Sequence, residues 1–197
     1  MPKASTSNNG LVAGLDEVGL GALSGPMLIA VAAFPTGSIP IPGVNDSKKL
    51  TARKRESLFP VIMERASYVG FGWVHPLLID QYGMSRCWQM AATEALKHAP
   101  SFDRLYVDGM RSVQGYRGNQ STEIKGDARI WQVGAASIIA KVARDRDMVD
   151  MARHYPGYKW ESNKGYGSNA HWDRLREVGP CPYHRIRFLK KLNGSKK

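Results

Sequence analysis

Four acidic residues carry the clearest chemical suggestion in this sequence: Asp16 and Glu17 side by side, Asp108 in an Asp-Gly pair, and Asp127 behind Lys125-Gly126. Carboxylates are hard oxygen donors suited to Mg²⁺ or Mn²⁺. Two such cations about 3.5–4 Å apart supply what phosphodiester hydrolysis needs at neutral pH, an activated water and neutralised charge on the attacking and leaving oxygens. A single Asp after a strand is as readily a turn or cap residue, and for Asp108-Gly109 alone that reading prevails. Asp16-Glu17 resists it, because two adjacent acids between an apolar strand and a Gly-rich turn have no evident structural use.

The rest of the composition says what such a site would face. Lys plus Arg number 28 against 17 Asp plus Glu, a formal charge of +11 over 197 residues, so the surface field favours a polyanion. An acidic cluster in so basic a chain would repel nucleic acid unless metal ions neutralised it. A membrane partner is disfavoured: the longest apolar run, Met27 to Phe34, is strand-sized, well short of the roughly 18 residues that span a bilayer. The polar N-terminus lacks a secretory pattern, which points to the cytoplasm. Cys87 and Cys181 have no CxxC spacing and read as reduced thiols.

The elements that must position the acids follow from periodicity. Leu11–Leu15 and Met27–Phe34 read as neighbouring strands across a turn containing Gly19, Gly21, Gly25 and Pro26, with Asp16 and Glu17 at the end of the first. Asn45, Asp46 and Ser47 offer N-caps to a basic helix over Lys48–Ala66, interrupted at Pro60. Tyr68–Val74 alternates as a strand, Pro76–His98 is helical, and Arg104–Val107 is a strand ending at Asp108. Glu123–Lys125 is a short strand ending at Asp127, and Val133–Ala152 is helical. The fold class is α/β, a mixed central sheet flanked by helices with a small helical C-terminal extension, in one domain over residues 1–197 whose ends, 1–10 and 194–197, fray. Composition and spacing reach no further than a basic α/β protein with a candidate metal site.

Blocks of sequence go beyond that. Gly14-Leu15-Asp16-Glu17-Val18-Gly19, Gly25-Pro26 and Asn45-Asp46-Ser47-Lys48-Lys49-Leu50 resemble ribonuclease HII. So, in the family's order, do Val107-Asp108-Gly109, Lys125-Gly126-Asp127, Ala135 to Val142 with Arg144-Asp145-Arg146, Gly165-Tyr166-Gly167 with His171, and Gly179 to Pro182 with His184-Arg185. The resemblance covers about Gly14 to Phe188. It implies an RNase H-like fold and an endonuclease acting as a monomer on the RNA strand of RNA–DNA hybrids and on ribonucleotides embedded in DNA. It also implies Asp16, Glu17, Asp108 and Asp127 as catalytic residues holding two divalent ions, Mg²⁺ or Mn²⁺. Products ending in 5′-phosphate and 3′-hydroxyl follow, with roles in DNA replication and repair, and Tyr166 stacks on the sugar at the RNA–DNA junction, where the 2′-hydroxyl marks RNA.

One position departs from the family pattern. Its turn is usually Gly-Arg-Gly or Gly-Lys-Gly, and here it is Gly19-Leu20-Gly21, which keeps backbone amides for the substrate but loses a side-chain phosphate contact. That leaves room for a ribonuclease HIII-like preference for longer hybrids, although Asp127 and the short N-terminus favour ribonuclease HII. Ser47, Lys48, Lys141 and Arg144 are candidate substrate contacts, the last two on one helix face. A catalytically weak hybrid-binding protein would not need all four acids, and a resolvase-like nuclease would not need the Tyr166 loop. No histidine has zinc-ligand spacing, the five scattered tryptophans read as packing, and whether a sliding-clamp partner binds the basic C-terminus stays open.

Overall fold

The computed structural model describes residues 10–45 and 47–190. Five strands form one sheet in the order β3-β2-β1-β4-β5, with β1 Leu11–Val18, β2 Met27–Pro35, β3 Tyr68–Val74, β4 Arg104–Asp108 and β5 Gln120–Glu123. Strand β2 runs antiparallel to both β3 and β1, while β4 lies parallel to β1 and β5 parallel to β4. The sheet is therefore mixed. Its register decides the site: Leu15 pairs with Val107, so the next residues, Asp16 and Asp108, emerge together at the carboxyl edge of two parallel strands. That edge is where open α/β sheets place their ligands.

Among the described residues the α-helices are α1 Ala52–Arg65, α2 Pro76–Tyr82, α3 Met84–Leu96, α4 Gly126–Arg129, α5 Trp131–His154, α6 Trp160–Asn163 and α7 Asn169–Val178, of which α1, α3 and α5 cover the sheet. The all-apolar strand β2 is buried on both faces because each face meets a helix layer. On one face Met27, Ile29 and Val31 pack with Trp88, Ala91 and Ala95 of α3. On the other Leu28, Ala30 and Ala32 meet Leu58 and Ile62 of α1 and Ile138 and Ile139 of α5. Contact between α5 and β1 is close enough that a Cβ at Gly14 would lie 2.2 Å from the Val133 amide nitrogen, so only glycine fits beside the acids. A third cluster, Leu23, Met148, Tyr158, Trp160, Leu175 and Leu189, ties α6 and α7 to the end of α5 and forms the small helical C-terminal extension.

Several local expectations change. Thr51, whose hydroxyl accepts from the Lys54 amide at 3.2 Å, caps α1, while Ser47–Lys49 form a separate 3₁₀ turn; Asp46 lies outside the described residues. Pro60 sits inside α1 without ending it, because Leu58 and Ile62 bury on either side and packing outweighs one lost backbone bond. Helical periodicity over Pro76–His98 conceals a break at Gly83, whose φ of 78° no helix accommodates. Asp127 stands on the first turn of α4 rather than at a strand end; β5 stops at Glu123, and Lys125 turns the chain in a left-handed conformation. Gly10 is fixed by accepting from the Thr36 amide at 2.8 Å, and the remaining end segments expected to fray lie outside the described residues. Among the described residues no helix is long and apolar enough to cross a membrane.

Candidate active site

Asp16 is 5% exposed and lies in the last part of β1, which runs on through Glu17 to Val18 before the Gly-rich turn. Its Oδ1 accepts from the Glu17 amide at 2.7 Å, and the Ser137 hydroxyl on α5 also hydrogen-bonds it. Burial, followed by the charges of Glu17 and Asp108, pushes this carboxyl well above the usual carboxylate range. Glu17 is raised by burial and by Asp108, and held back first by a hydrogen bond from Trp88, then by Arg111 and Lys48. That bond runs from Trp88 Nε1 to Glu17 Oε2 at 3.2 Å. Asp108 Oδ1 accepts from the Gly126 amide at 2.8 Å, which fixes the carboxylate against the start of the short helix carrying Asp127. Asp127 is 7% exposed and lines, with Asp108, Lys48, Lys49 and Lys125, a cavity of about 310 Å³.

Asp16, Glu17 and Asp108 thus repel one another at this edge, and Asp127 lines the same cavity as Asp108. An all-oxygen donor set under mutual repulsion suits a hard divalent cation, which would relieve both burial and repulsion. Among the described residues no three His, Cys, Asp or Glu side chains are already drawn into a closed metal cage. The fit is one of donor chemistry and charge.

The other predicted contacts divide. Lys48 is exposed and acts electrostatically on Glu17. Lys141 is partly exposed, paired with Asp145 at 2.7 Å, with its Nζ 5.4 Å from the centre of the Tyr166 ring. Arg144, expected on the same open face, is instead fully buried: it donates to the carbonyls of Pro26 (2.8 Å), Lys164 (2.9 Å) and Ser24 (3.1 Å), so its guanidinium braces the turn rather than meeting phosphate. Ser47, 4% exposed, turns inward to hydrogen-bond Ser137 at 2.8 Å and so reaches Asp16 only through that residue. Gly19-Leu20-Gly21 leads from the acids toward the Tyr166 loop, Gly19 at φ 86° and Leu20 half-buried against the α3 face of the core. Gly165, at φ 81°, accepts from the amides of Leu23 (2.8 Å) and Ser24 (3.2 Å), which joins the Tyr166 loop to that turn.

The family model described as Ribonuclease HII matches residues 13–191. The chain belongs to the ribonuclease HII family. A ribonuclease HII of Endomicrobium trichonymphae is 42% identical over 178 residues, covering 90% of this chain and 84% of that one. The crystal structure of the ribonuclease H2 from Pyrococcus horikoshii OT3 superposes with a TM-score of 0.78 at 29% identity, over 93% of this chain and 97% of that one. A structure of Bst-RNase HIII in complex with Mn²⁺ has a TM-score of 0.72 over 98% of this chain and 72% of that one, and at 20% identity shares the fold alone. As a ribonuclease HII the protein is an enzyme, a nuclease with ribonuclease H activity, on the RNase H-like fold.

Within this ribonuclease HII, three supporting residues had no assigned role in the sequence. Trp88 read as packing, and nothing in a spacing of 71 residues signals its bond to Glu17. Ser137 stood unmarked inside a family-like block. Arg185, also inside such a block, is fully buried and donates to the carbonyls of Gly19 (2.6 Å), Gly25 (2.8 and 3.0 Å) and Leu20 (3.1 Å), holding the turn from below. Burial and the neighbouring Arg144 pull Arg185 down to about 9, which leaves it charged at neutral pH.

Proposed function

We propose that this ribonuclease HII cuts the RNA strand of RNA–DNA hybrids, and ribonucleotides embedded in DNA, at a site where Asp16, Glu17, Asp108 and Asp127 hold Mg²⁺ or Mn²⁺. The observation that carries the reading is the convergence of Asp16, Glu17 and Asp108 at one buried sheet edge, their charges uncompensated enough to lift the first two above the ordinary range. When bound, two divalent ions supply an activated water and stabilise the leaving 3′ oxygen, giving 5′-phosphate and 3′-hydroxyl ends. The chain's own residues do the positioning. Ser137 and the Glu17 amide orient Asp16, Trp88 orients Glu17, and the Gly126 amide orients Asp108. Lys48 and Lys141 attract backbone phosphate, and Tyr166 packs on the ribose at the junction. The Mn²⁺ complex of Bst-RNase HIII, a protein of the same fold, supports the choice of cation. Primer removal and ribonucleotide excision are the cellular tasks such cutting serves.

Leu20 favours a second reading of specificity. With no cation on the turn, single embedded ribonucleotides are cut more slowly than long hybrids, as in ribonuclease HIII. Cleavage of three labelled duplexes in Mg²⁺ and in Mn²⁺ tests both readings: an all-RNA strand on DNA, one ribonucleotide in DNA, and plain DNA. Cutting of both ribonucleotide substrates with DNA spared supports the first, and cutting of the long hybrid alone supports the second. No cutting with either metal overturns both and leaves a hybrid-binding protein.

A further inference from the structure

A chain of buried side chains behind Tyr166 has no part in the chemistry above. His171 on α7 and His184 beyond it are 0% and 2% exposed, their Nε2 atoms 3.0 Å apart. Their hydrogens are fixed by three neighbours whose roles do not change. The Tyr166 carbonyl, which can only accept, lies 2.9 Å from His171 Nδ1, so that nitrogen carries the hydrogen and His171 Nε2 is left as an acceptor. The Trp160 indole N–H, which can only donate, points at this same Nε2 from 3.2 Å. The Cys181 amide donates to His184 Nδ1 at 3.1 Å, which puts the hydrogen of His184 on Nε2, aimed at His171. The Cys181 thiol, 3.2 Å from His184 Nδ1, can also donate to this acceptor, and the Cys181 carbonyl at 3.3 Å is then a close approach and not a hydrogen bond. With both rings neutral, each link pairs a donor with an acceptor from the Cys181 amide through His184 and His171 to the Tyr166 carbonyl, the Trp160 and His184 N–H groups sharing the one lone pair at His171 Nε2.

The receiving end of this chain is the residue that touches substrate in the proposed function. Tyr166 stands between a glycine at positive φ and Gly167, which by themselves leave its backbone loosely specified. The Tyr166 amide donates to the Asn163 carbonyl at the end of α6 at 2.9 Å, and the Ser168 amide donates to the Tyr166 carbonyl at 2.9 Å; His171 is the side chain that ties this carbonyl to α7. Burial holds both histidines below the usual imidazole range, His184 at about 4, so the acceptor at His171 Nε2 persists at neutral pH.

We propose that His171, set as its Nδ1–H form by His184 and Trp160, is a positioning residue that fixes Tyr166 for contact with the ribose. The proposal rests on the reading of Tyr166 as the junction contact, and the experiment separates the two. Cleavage of a DNA duplex carrying one ribonucleotide is measured for Tyr166→Ala, His171→Leu, His171→Asn and the double variant His171→Leu/Tyr166→Ala, each checked by thermal melting. His171→Leu loses roughly 5- to 10-fold in kcat/KM, the worth of one buried hydrogen bond, while His171→Asn, whose amide nitrogen replaces Nδ1, stays within about twofold of the parent. The double variant is no slower than Tyr166→Ala alone, because His171 acts only through Tyr166. Equal impairment of the Leu and Asn variants, or losses that multiply in the double variant, overturns the proposal alone. An unimpaired Tyr166→Ala overturns the Tyr166 reading and the proposal with it. Should His171→Leu fail to fold, His171→Phe poses the same question with a ring of similar size and no donor: it loses the rate that His171→Asn retains, and equal rates overturn the proposal.

Discussion

Replacing Trp88 with Phe removes one donor from the site and leaves the substrate-facing groups untouched. The indole, 1% exposed on α3, gives its N–H to Glu17 Oε2 at 3.2 Å. A hydrogen bond to a charged group contributes about 1.5–3 kcal/mol. At 3.2 Å the bond is at the long end of N–H···O distances, so the lower figure applies, about 1.5 kcal/mol, or roughly tenfold in an equilibrium constant. The loss has two effects of the same sign. Glu17 is no longer held in one orientation for a cation, and the bond that lowered its proton affinity is gone, so protons compete better with metal. Loss of a partner that orients a metal-holding carboxylate typically costs about 10–100-fold in metal affinity, and this bond belongs at the lower end. The smaller ring also lowers stability by roughly 1–2 kcal/mol, a packing effect visible in the melting temperature. A Mg²⁺ titration of hybrid cleavage by Trp88→Phe is expected to show a half-saturating concentration raised about tenfold, with most of the rate recovered at saturating metal. A folded variant with lower melting temperature but unchanged half-saturation would refute the claim that Trp88 prepares Glu17 for a cation.

Asp16→Asn removes the most strongly desolvated acid, so the metal-free variant should melt higher than the parent, gain less from added Mg²⁺, and lose hybrid cleavage; differential scanning with and without metal checks the first two. Leu20→Arg restores a cation to a turn already held by Arg185 and should speed cutting at a single ribonucleotide relative to a long hybrid, read as the ratio of kcat/KM for the two duplexes. Acid should weaken the C-terminal cluster. His184 titrates near 4 when folded and near 6.5 when unfolded, so the unfolded chain binds more protons between those values; the stabilisation is complete above about pH 6.5 and is lost as pH falls toward 4, on the order of 3 kcal/mol in all. Asp16 and Glu17, raised in the folded chain, contribute with the opposite sign, so the expected observation is a larger drop in melting temperature from pH 7 to pH 5 in the parent than in His184→Gln.

Strand positions were readable because apolar runs such as Met27–Phe34 have one use in a sheet covered on both faces, and the meeting of Asp16 with Asp108 followed from reading each at the end of an apolar strand. The split at Gly83 was hidden, since helical periodicity continues across it and only backbone geometry shows the break. Asp127 was misplaced because its neighbourhood is short and polar, with no period to distinguish a strand end from a turn of helix. Arg144 shows the limit of helix-face reasoning. Three residues beyond Lys141 it looks solvated, but its partners at Ser24 and Pro26 lie 120 and 118 residues away in sequence and no local pattern shows them. The same holds for Trp88 and for the His171–His184 chain, which exist only once α3, α6 and α7 have packed.

The most direct test of the four-carboxylate site is the cleavage rate of one labelled RNA–DNA hybrid, in Mg²⁺ and in Mn²⁺, for the parent and for Asp16→Asn, Glu17→Gln, Asp108→Asn and Asp127→Asn, all confirmed folded by melting. Cutting by the parent alone, abolished by chelator, with each variant down by roughly 100-fold or more, is the predicted result. A parent rate retained by any one of the four folded variants would contradict its place in the site, and a chelator-resistant parent would contradict metal-assisted hydrolysis altogether.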